Sequence, residues 1–302
     1  MDGQGRFTMV IDYLKAIRIG NLFLLGLLFW GFKGIISSPE YIIDLDFTLL
    51  FISIVLTAAS GYLINDYFDI ESDKLNTYKT KSRLGASQLF WLSILNSIIA
   101  VSSVLLTDLN SNWIVLIALT NLLLYFYSWI LQHLPLIGNF VVATLCGLVM
   151  IVPLIYDHKI DGMWEIEFNL SNINGISWTY TLFAFLLTLL RELIKDGEDI
   201  VGDQAVESKT LAVVAGIGPT KFVCLLISLL TIFTIGTISF YELLKEFNFL
   251  VTLFPILILS PLIYFLIELK KSKKSTDFSK LSLYLKIVFL GASVWIYLKL
   301  LI

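Results

Sequence analysis

Two short segments of the chain carry three aspartates at one spacing, D-x-x-D-x-x-x-D. These residues are Asp66, Asp69 and Asp73 in the first aspartate row, and Asp196, Asp199 and Asp203 in the second. On a helix, offsets of three, four and seven residues place side chains on one face. Each row is therefore expected to present three carboxylates together, which repel one another unless cations neutralise them.

Carboxylate oxygens in such rows favour a hard cation. Mg²⁺ takes oxygen ligands octahedrally, keeps several waters and typically bridges one or two carboxylates to substrate phosphates. Two rows facing each other would hold a diphosphate through Mg²⁺, whose charge would assist the departure of that group. The sequence therefore predicts a magnesium-diphosphate site.

The composition requires a membrane setting for these rows. Hydrophobic residues make up 57% of the 302 residues and charged residues 15%, against about 45–50% and about 25% in soluble domains. Stretches of about 17–25 apolar residues are long enough to cross the hydrocarbon core as helices. Nine such stretches are predicted, at about 19–37, 48–64, 89–106, 113–131, 136–155, 178–194, 221–240, 248–268 and 282–301.

Basic residues fix the expected orientation, because Lys and Arg concentrate in short cytoplasmic loops. The N-terminal tail and the loops after the second, sixth and eighth predicted spans hold three, four, four and five of the 21 basic residues. The loops on the other side are acidic. We predict a cytoplasmic N-terminus, with both aspartate rows on the cytoplasmic side.

A solvated acidic loop is the simpler explanation of one such row, but the second row repeats the spacing on the same predicted side and also adjoins a span end. Zinc is disfavoured, because His133 and His158 fall on opposite predicted sides without a cysteine. Cys146 and Cys224 lie in apolar runs and are interpreted as core residues. Neither a removable signal peptide nor a clustered basic face for nucleic acid is indicated.

Longer motifs surround both rows. They are Asn65-Asp66-x-x-Asp69-x-x-x-Asp73 and Arg191-Glu192-Leu193-Ile194-Lys195-Asp196-x-Glu198-Asp199-x-x-Gly202-Asp203. With the stretches 14–21, 134–139 and 210–213, they resemble the UbiA superfamily of intramembrane prenyltransferases over nearly the whole chain. The second motif is most similar in form to that of the geranylgeranylglycerol-phosphate geranylgeranyltransferases, which make ether lipids.

The chain departs from this pattern in two places. Residues 76–85 lack the two prolines that follow the first motif in many relatives. Relatives often have a lysine shortly after a tyrosine at the end of the fourth helix, whereas this chain reads Tyr127-Ser128-Trp129-Ile130-Leu131-Gln132-His133. A cation that would face the diphosphate is therefore missing there.

The resemblance implies an all-α integral membrane bundle of nine transmembrane helices around a central cavity. It implies one domain over residues 1–302, capped by motif loops at about 65–88 and 191–220. It also implies a magnesium and diphosphate group made of Asn65, Asp69, Asp73, Asp199 and Asp203. Asp66 and Asp196 would support this group, and they are our candidates for a catalytic proton acceptor.

Further residues are candidates for substrate binding. Arg18 and Lys195 are preferred, because cations at span edges near a polar cavity tend to be functional. Arg83 and Lys209 flank the rows, Asn21 stands in the stretch 14–21, and Tyr127 is the tyrosine at the end of the fourth predicted span. The basic residues among them can also be explained as topology determinants.

The predicted activity is transfer of a polyprenyl group from its diphosphate to a hydrophobic acceptor, either a glycerol-phosphate ether lipid or an aromatic quinone precursor. Mg²⁺ is the expected cofactor and a prokaryotic inner membrane the expected location, with no obligatory protein partner indicated. One alternative is a cation transporter, which the nearly uncharged span centres disfavour. Another is a CDP-alcohol phosphotransferase, whose D-G and A-R pairs the first row lacks. A third is a family member that binds lipid without catalysis.

Overall fold

The computed structural model describes residues 3–36, 44–75, 83–157, 175–245 and 249–300. These residues are almost entirely helical and contain no β-strand. This confirms the all-α class, in which a chain in lipid satisfies its backbone hydrogen bonds within each helix. The described residues form two compact units, made of 3–26, 44–75 and 83–132 in unit 1 and of 27–36, 133–157, 175–245 and 249–300 in unit 2.

Unit 1 is arranged around one long helix. Its elements are α1 (Gly3–Ala16), the first half of α2 (Ile19–Ile36), α3 (Leu45–Phe68), α4 (Ile70–Leu75), α5 (Ala86–Leu105), α6 (Ser111–Trp129) and the first two residues of the 3₁₀ turn Leu131–His133. Helix α3 packs against α5 and α6. Small residues allow this approach, because a Cβ on Gly61 would lie 3.0 Å from Cδ1 of Leu124.

Hydroxyl and amide side chains connect the three long helices of unit 1. Ser60 Oγ of α3 lies 3.0 Å from Ser93 Oγ and 2.7 Å from Ser97 Oγ, both of α5. Asn121 of α6 donates to Thr57 Oγ1 at 3.0 Å and accepts from Ser97 Oγ at 2.8 Å. In hydrocarbon such interhelical bonds contribute roughly 0.6–2 kcal/mol each, so they hold α3, α5 and α6 together.

Unit 2 contains the second half of α2 and the remaining helices. These are α7 (Ile137–Val149), α8 (Val152–Asp157), α9 (Gly175–Ala205), α10 (Leu211–Val214), α11 (Ile217–Lys245), α12 (Phe249–Lys271) and α13 (Ser275–Leu300). Helix α9 packs against α7, α10, α11 and α13. Its fully buried Leu187, Leu190 and Leu193 recur at three-residue spacing and form part of the unit's apolar core.

Several helices can cross a membrane. Five of them in the described residues, α3, α5, α6, α11 and α13, are long and apolar enough. A sixth span results if the segments Phe7–Ala16 and Ile19–Ile35, which meet at a bend of 57°, count as one. The chain is thus an integral multi-pass membrane protein. Each of the nine predicted spans overlaps a helix of the described residues, and membrane crossing by all nine stays a prediction.

The structure corrects the predicted boundaries in three places. The described parts of the two motif segments, expected as loops, are mostly helical, because α3 and α4 carry the first row and α9 continues to Ala205. The fifth predicted span is divided between α7 and α8. Pro153 explains the division, since it has no N–H to donate to the carbonyl of Val149.

Candidate active site

The first aspartate row lies at the junction of α3 and α4. Asp66 is in the last turn of α3, Asp69 separates the two helices, and Asp73 is in α4. The backbone N–H of Asp69 donates to the carbonyl of Asn65 at 2.9 Å, and that of Asp73 to the carbonyl of Asp69 at 2.8 Å. These bonds keep the four-residue helical pattern across the junction, which confirms the helical path predicted for this row.

A cation from the N-terminal segment faces Asp66, the first aspartate of the first row. Arg18 lies at the bend between α1 and α2 with a left-handed φ of 53°, a conformation that costs energy in a residue other than glycine. Its guanidinium lies 3.0 Å from Asp66 Oδ1 and 4.6 Å from the centre of the Tyr62 ring. Asn21 donates to the Tyr62 hydroxyl at 3.4 Å. The structure therefore brings Arg18 and Asn21 to the end of α3 that carries the row.

Two amide side chains hold Asp69, the second aspartate of the first row. Asn65 Nδ2 donates to Asp69 Oδ2 at 2.8 Å and to Gln132 Oε1 at 2.6 Å. Gln132 Nε2 donates to Asp69 Oδ1 at 2.9 Å. In the sequence, Gln132 stands where relatives often have a cation, and it was not predicted as a site residue. A polar amide directly after an apolar span was the available signal for its role.

The second aspartate row lies on one uninterrupted helix, α9, as its spacing predicted. Asp196 Oδ2 accepts from Asn139 Nδ2 of α7 at 2.9 Å, and Asp203 Oδ2 accepts from Thr210 Oγ1 at 3.3 Å. Burial raises the pKa of the Asp196 carboxyl well above its usual range, and the Asn139 hydrogen bond opposes that shift. Asn139 was not predicted as a site residue, although it belongs to a stretch that carries the resemblance.

The basic residues of unit 2 have other contacts near this row. Lys195 Nζ lies 3.4 Å from Glu192 Oε2, and Arg191 lies 3.0 Å from Glu192 Oε1. Glu192 is only 8% exposed, so the two cations offset the cost of burying its charge. The side chain of Lys209 is exposed, while its backbone N–H donates to the carbonyl of His133 at 2.9 Å.

The other predicted residues lie in unit 1. Arg83 is exposed and precedes α5, and Tyr127 is half-buried on α6. Within the described residues of unit 1, Arg18 bonds to Asp66, and Gln132 bonds to both Asn65 and Asp69. The predicted roles of these residues in substrate binding stay predictions.

The donor atoms of the rows fit Mg²⁺. No group of three or more His, Cys, Asp or Glu side chains with metal-binding geometry occurs in the part of the chain that the structure describes. Mg²⁺ does not require one, because substrate phosphates and water complete its shell. The amides of Asn65 and Gln132 that orient Asp69 are neutral, and each uses only part of the acceptor capacity of one carboxylate oxygen. Within each unit the row would offer carboxylate oxygens to such an ion, from Asp69 and Asp73 in unit 1 and from Asp199 and Asp203 in unit 2.

The sequence and the fold both have known relatives. A digeranylgeranylglyceryl phosphate synthase of Sulfurisphaera tokodaii is 32% identical over 286 residues, which are 93% of this chain and 95% of that relative. The apo structure of a UbiA homolog from Aeropyrum pernix has a TM-score of 0.66 at 16% identity, over 90% of this chain and 96% of its own. A UbiA homolog from Archaeoglobus fulgidus bound to DMAPP and Mg²⁺ has a TM-score of 0.61 at 16% identity, over 94% and 99%.

The family follows from the length of the match. Residues 23–290 match the UbiA prenyltransferase family, and this range includes both aspartate rows, Asn65, Gln132 and Asn139. Both solved structures share this helical fold, although each is only 16% identical to the chain. The chain belongs to the UbiA prenyltransferase family.

Proposed function

We propose that the chain transfers a geranylgeranyl group from geranylgeranyl diphosphate to geranylgeranylglyceryl phosphate, giving digeranylgeranylglyceryl phosphate. The observation that carries this proposal is the pair of aspartate rows, which have the same spacing and follow helical backbone in both units. The names of the relatives from Sulfurisphaera tokodaii and Thermococcus kodakarensis, each 32% identical to this chain, support a glycerol-phosphate acceptor over an aromatic one.

Both rows are proposed to serve diphosphate binding, in one UbiA-like domain over residues 1–302. Asp69 and Asp73 of unit 1, and Asp199 and Asp203 of unit 2, would supply carboxylate oxygens to Mg²⁺ on the cytoplasmic side of a bundle of nine transmembrane helices. When bound, Mg²⁺ neutralises the charge that develops on the leaving diphosphate. The UbiA homolog from Archaeoglobus fulgidus, bound to DMAPP and Mg²⁺, supports Mg²⁺ and a prenyl diphosphate as the bound molecules.

The remaining site residues orient the reactants and move one proton. The C–O bond between the prenyl group and the diphosphate breaks, and a new C–O bond forms to the acceptor hydroxyl, which loses its proton. We assign that proton to Asp196, because a carboxylate whose pKa is raised by burial is a stronger base. Asp66 faces the guanidinium of Arg18 at 3.0 Å, and this ion pair holds the Asp66 side chain in place.

The proposed orientation of the chain would give access to both substrates. A cytoplasmic N-terminus would place both rows on the side of a prokaryotic inner membrane where soluble phosphate compounds and Mg²⁺ are available. Lys195, Lys209 and Arg83 would lie on that side and add positive charge near the diphosphate. The long prenyl tail would stay in the hydrocarbon, where its burial is favourable.

A direct assay tests the proposal. Protein purified into nanodiscs is incubated with geranylgeranyl diphosphate, geranylgeranylglyceryl phosphate and Mg²⁺, and the lipid product is identified by mass spectrometry. Asp69→Asn and Asp199→Asn keep the shape of each side chain and remove its charge. We expect each to reduce the rate about 100-fold or more, since even residues that only orient metal ligands contribute about 10–100-fold.

Asp108→Asn is the matched control. Asp108 is exposed in the loop between α5 and α6, away from both rows in sequence, and its replacement should leave the rate unchanged. Full activity of Asp69→Asn or Asp199→Asn would contradict the proposed site. Transfer to an aromatic acceptor alone would overturn the choice of substrate. Ion flux in proteoliposomes without a prenyl diphosphate would favour a transporter.

A further inference from the structure

We infer that Gln132 is a positioning residue for the first aspartate row, whose amide holds the Asp69 carboxylate in the orientation needed to bind a divalent cation. The inference deepens the proposed function and rests on it. It concerns a residue on the 3₁₀ turn Leu131–His133, outside both rows and 63 positions from Asp69.

The geometry is a closed ring of three hydrogen bonds among three side chains. Each Asp69 oxygen accepts one amide proton, from Asn65 at 2.8 Å and from Gln132 at 2.9 Å. The second amide proton of Asn65 reaches Gln132 Oε1 at 2.6 Å and closes the ring. Removing Gln132 would release one carboxylate oxygen and one Asn65 proton at once.

The orientation of both amides follows from the chemistry of Asp69. An ionised carboxylate only accepts hydrogen bonds, so both amide nitrogens must face it. With its nitrogen directed to Asp69, Gln132 presents its oxygen to Asn65. Asn65 is 8% exposed, so water competes little for its protons, and the ring fixes the plane of the Asp69 carboxylate.

Arg18 and the ring of amides bring different charges to Asp66 and Asp69. Arg18 brings a permanent positive charge to Asp66, whereas the ring brings two neutral amides to Asp69. An amide hydrogen bond uses one of the roughly two acceptor directions of a carboxylate oxygen and leaves its charge in place. The ring therefore orients Asp69 without neutralising it, as a cation ligand requires.

The dependence on metal concentration tests this role. Gln132→Met keeps the approximate length of the side chain and removes both amide groups. We expect it to raise the Mg²⁺ concentration for half-maximal prenyl transfer about 10–100-fold. The rate at saturating Mg²⁺ should stay within a few-fold of wild type, because the ligands themselves remain.

Metal binding is measured separately from activity. Mn²⁺ is titrated as a paramagnetic substitute for Mg²⁺ with an unreactive thio analogue of geranylgeranyl diphosphate present, and free Mn²⁺ is followed by EPR. Gln132→Met should weaken Mn²⁺ binding by the same factor. Gln132→Glu, which keeps the acceptor for Asn65 but loses the donor to Asp69, should also weaken it and provides a second variant if Gln132→Met does not fold.

Asn121→Leu is the matched control, since Asn121 is a half-buried amide on α6 that bridges Thr57 and Ser97. It should lower the melting temperature without changing the dependence on metal. Unchanged metal dependence and Mn²⁺ affinity in both Gln132 variants would overturn the inference alone. A wild-type chain that neither transfers a prenyl group nor binds Mn²⁺ would overturn the proposed function, and the inference with it.

Discussion

The carboxylates of the two rows have different neighbours. Asp66 is paired with a guanidinium, Asp69 is held by two neutral amides, and Asp196 accepts from Asn139 in a buried setting. A guanidinium brings positive charge to a carboxylate, a neutral amide orients it, and burial raises the pKa of the Asp196 carboxyl. We therefore expect one residue type to serve three purposes here: an ion-pair partner, a cation ligand and a proton acceptor.

The raised pKa of Asp196 has a consequence for stability. The ionised carboxylate is disfavoured by burial in the folded chain and not in the unfolded chain, so the folded state loses stability as pH rises between the two pKa values. Asp196→Asn carries no charge and should avoid this loss. We expect its melting temperature to exceed that of wild type by a few degrees at neutral pH, with the difference disappearing near pH 4.

The measurement is a thermal melt in detergent without Mg²⁺, at a series of pH values. Asp108→Asn replaces an exposed aspartate and should show no such pH-dependent gain. A wild-type chain that is more stable than Asp196→Asn at neutral pH, and less so in acid, would show that Asp196 is stabilised in its ionised form.

At the scale of elements, the position of the second row depends on how α9 packs against α13. Gly197 directly follows Asp196, and a Cβ on it would lie 2.5 Å from Cδ1 of Phe278. Phe278 is fully buried at the start of α13. Its ring cannot move aside as a flexible side chain would, so only glycine fits this point of α9.

Gly197→Ala should therefore disturb the second row. Overpacking of this kind typically costs about 1–3 kcal/mol, and we expect a lower melting temperature together with slower prenyl transfer. Gly218→Ala is the matched control, because a Cβ there meets nothing within 4 Å, and alanine favours a helix. Wild-type stability of Gly197→Ala would mean that α9 and α13 are not packed as closely as described.

At the scale of the whole molecule, the outward surface and the charge distribution both indicate a membrane. Large apolar side chains are widely exposed on the described helices, including Leu122 at 66% and Phe233 at 70%. In water such a surface would favour aggregation, whereas in hydrocarbon it has no such cost. The basic loops then predict which side of the membrane each helix end occupies.

Cysteine labelling in intact cells tests the predicted orientation. Cys146 and Cys224 are replaced by alanine, and the exposed residues Lys274 and Asp108 are changed to cysteine one at a time. A membrane-impermeant maleimide should label Asp108→Cys in intact cells and Lys274→Cys only after permeabilisation. Labelling in the reverse order would place the N-terminus outside and separate the rows from cytoplasmic Mg²⁺.

Local patterns of the sequence predicted much of this protein correctly. Hydropathy located the apolar helices, and the aspartate spacing indicated helical rows, because both depend on residues within a few turns of each other. Hydropathy alone, however, misplaced the ends of helices. Nothing near Lys195 in the apolar pattern showed that α9 continues through the second row to Ala205.

The sequence by itself determined the class of protein, the two carboxylate rows and the type of cation that suits them, since composition and spacing are properties of consecutive residues. Only the tertiary structure decided which partner each carboxylate has. Arg18 meets Asp66 across 48 positions and Gln132 meets Asn65 across 67. Such pairs form because packed helices bring distant side chains together. No periodic pattern in the sequence shows which of these residues will be in contact.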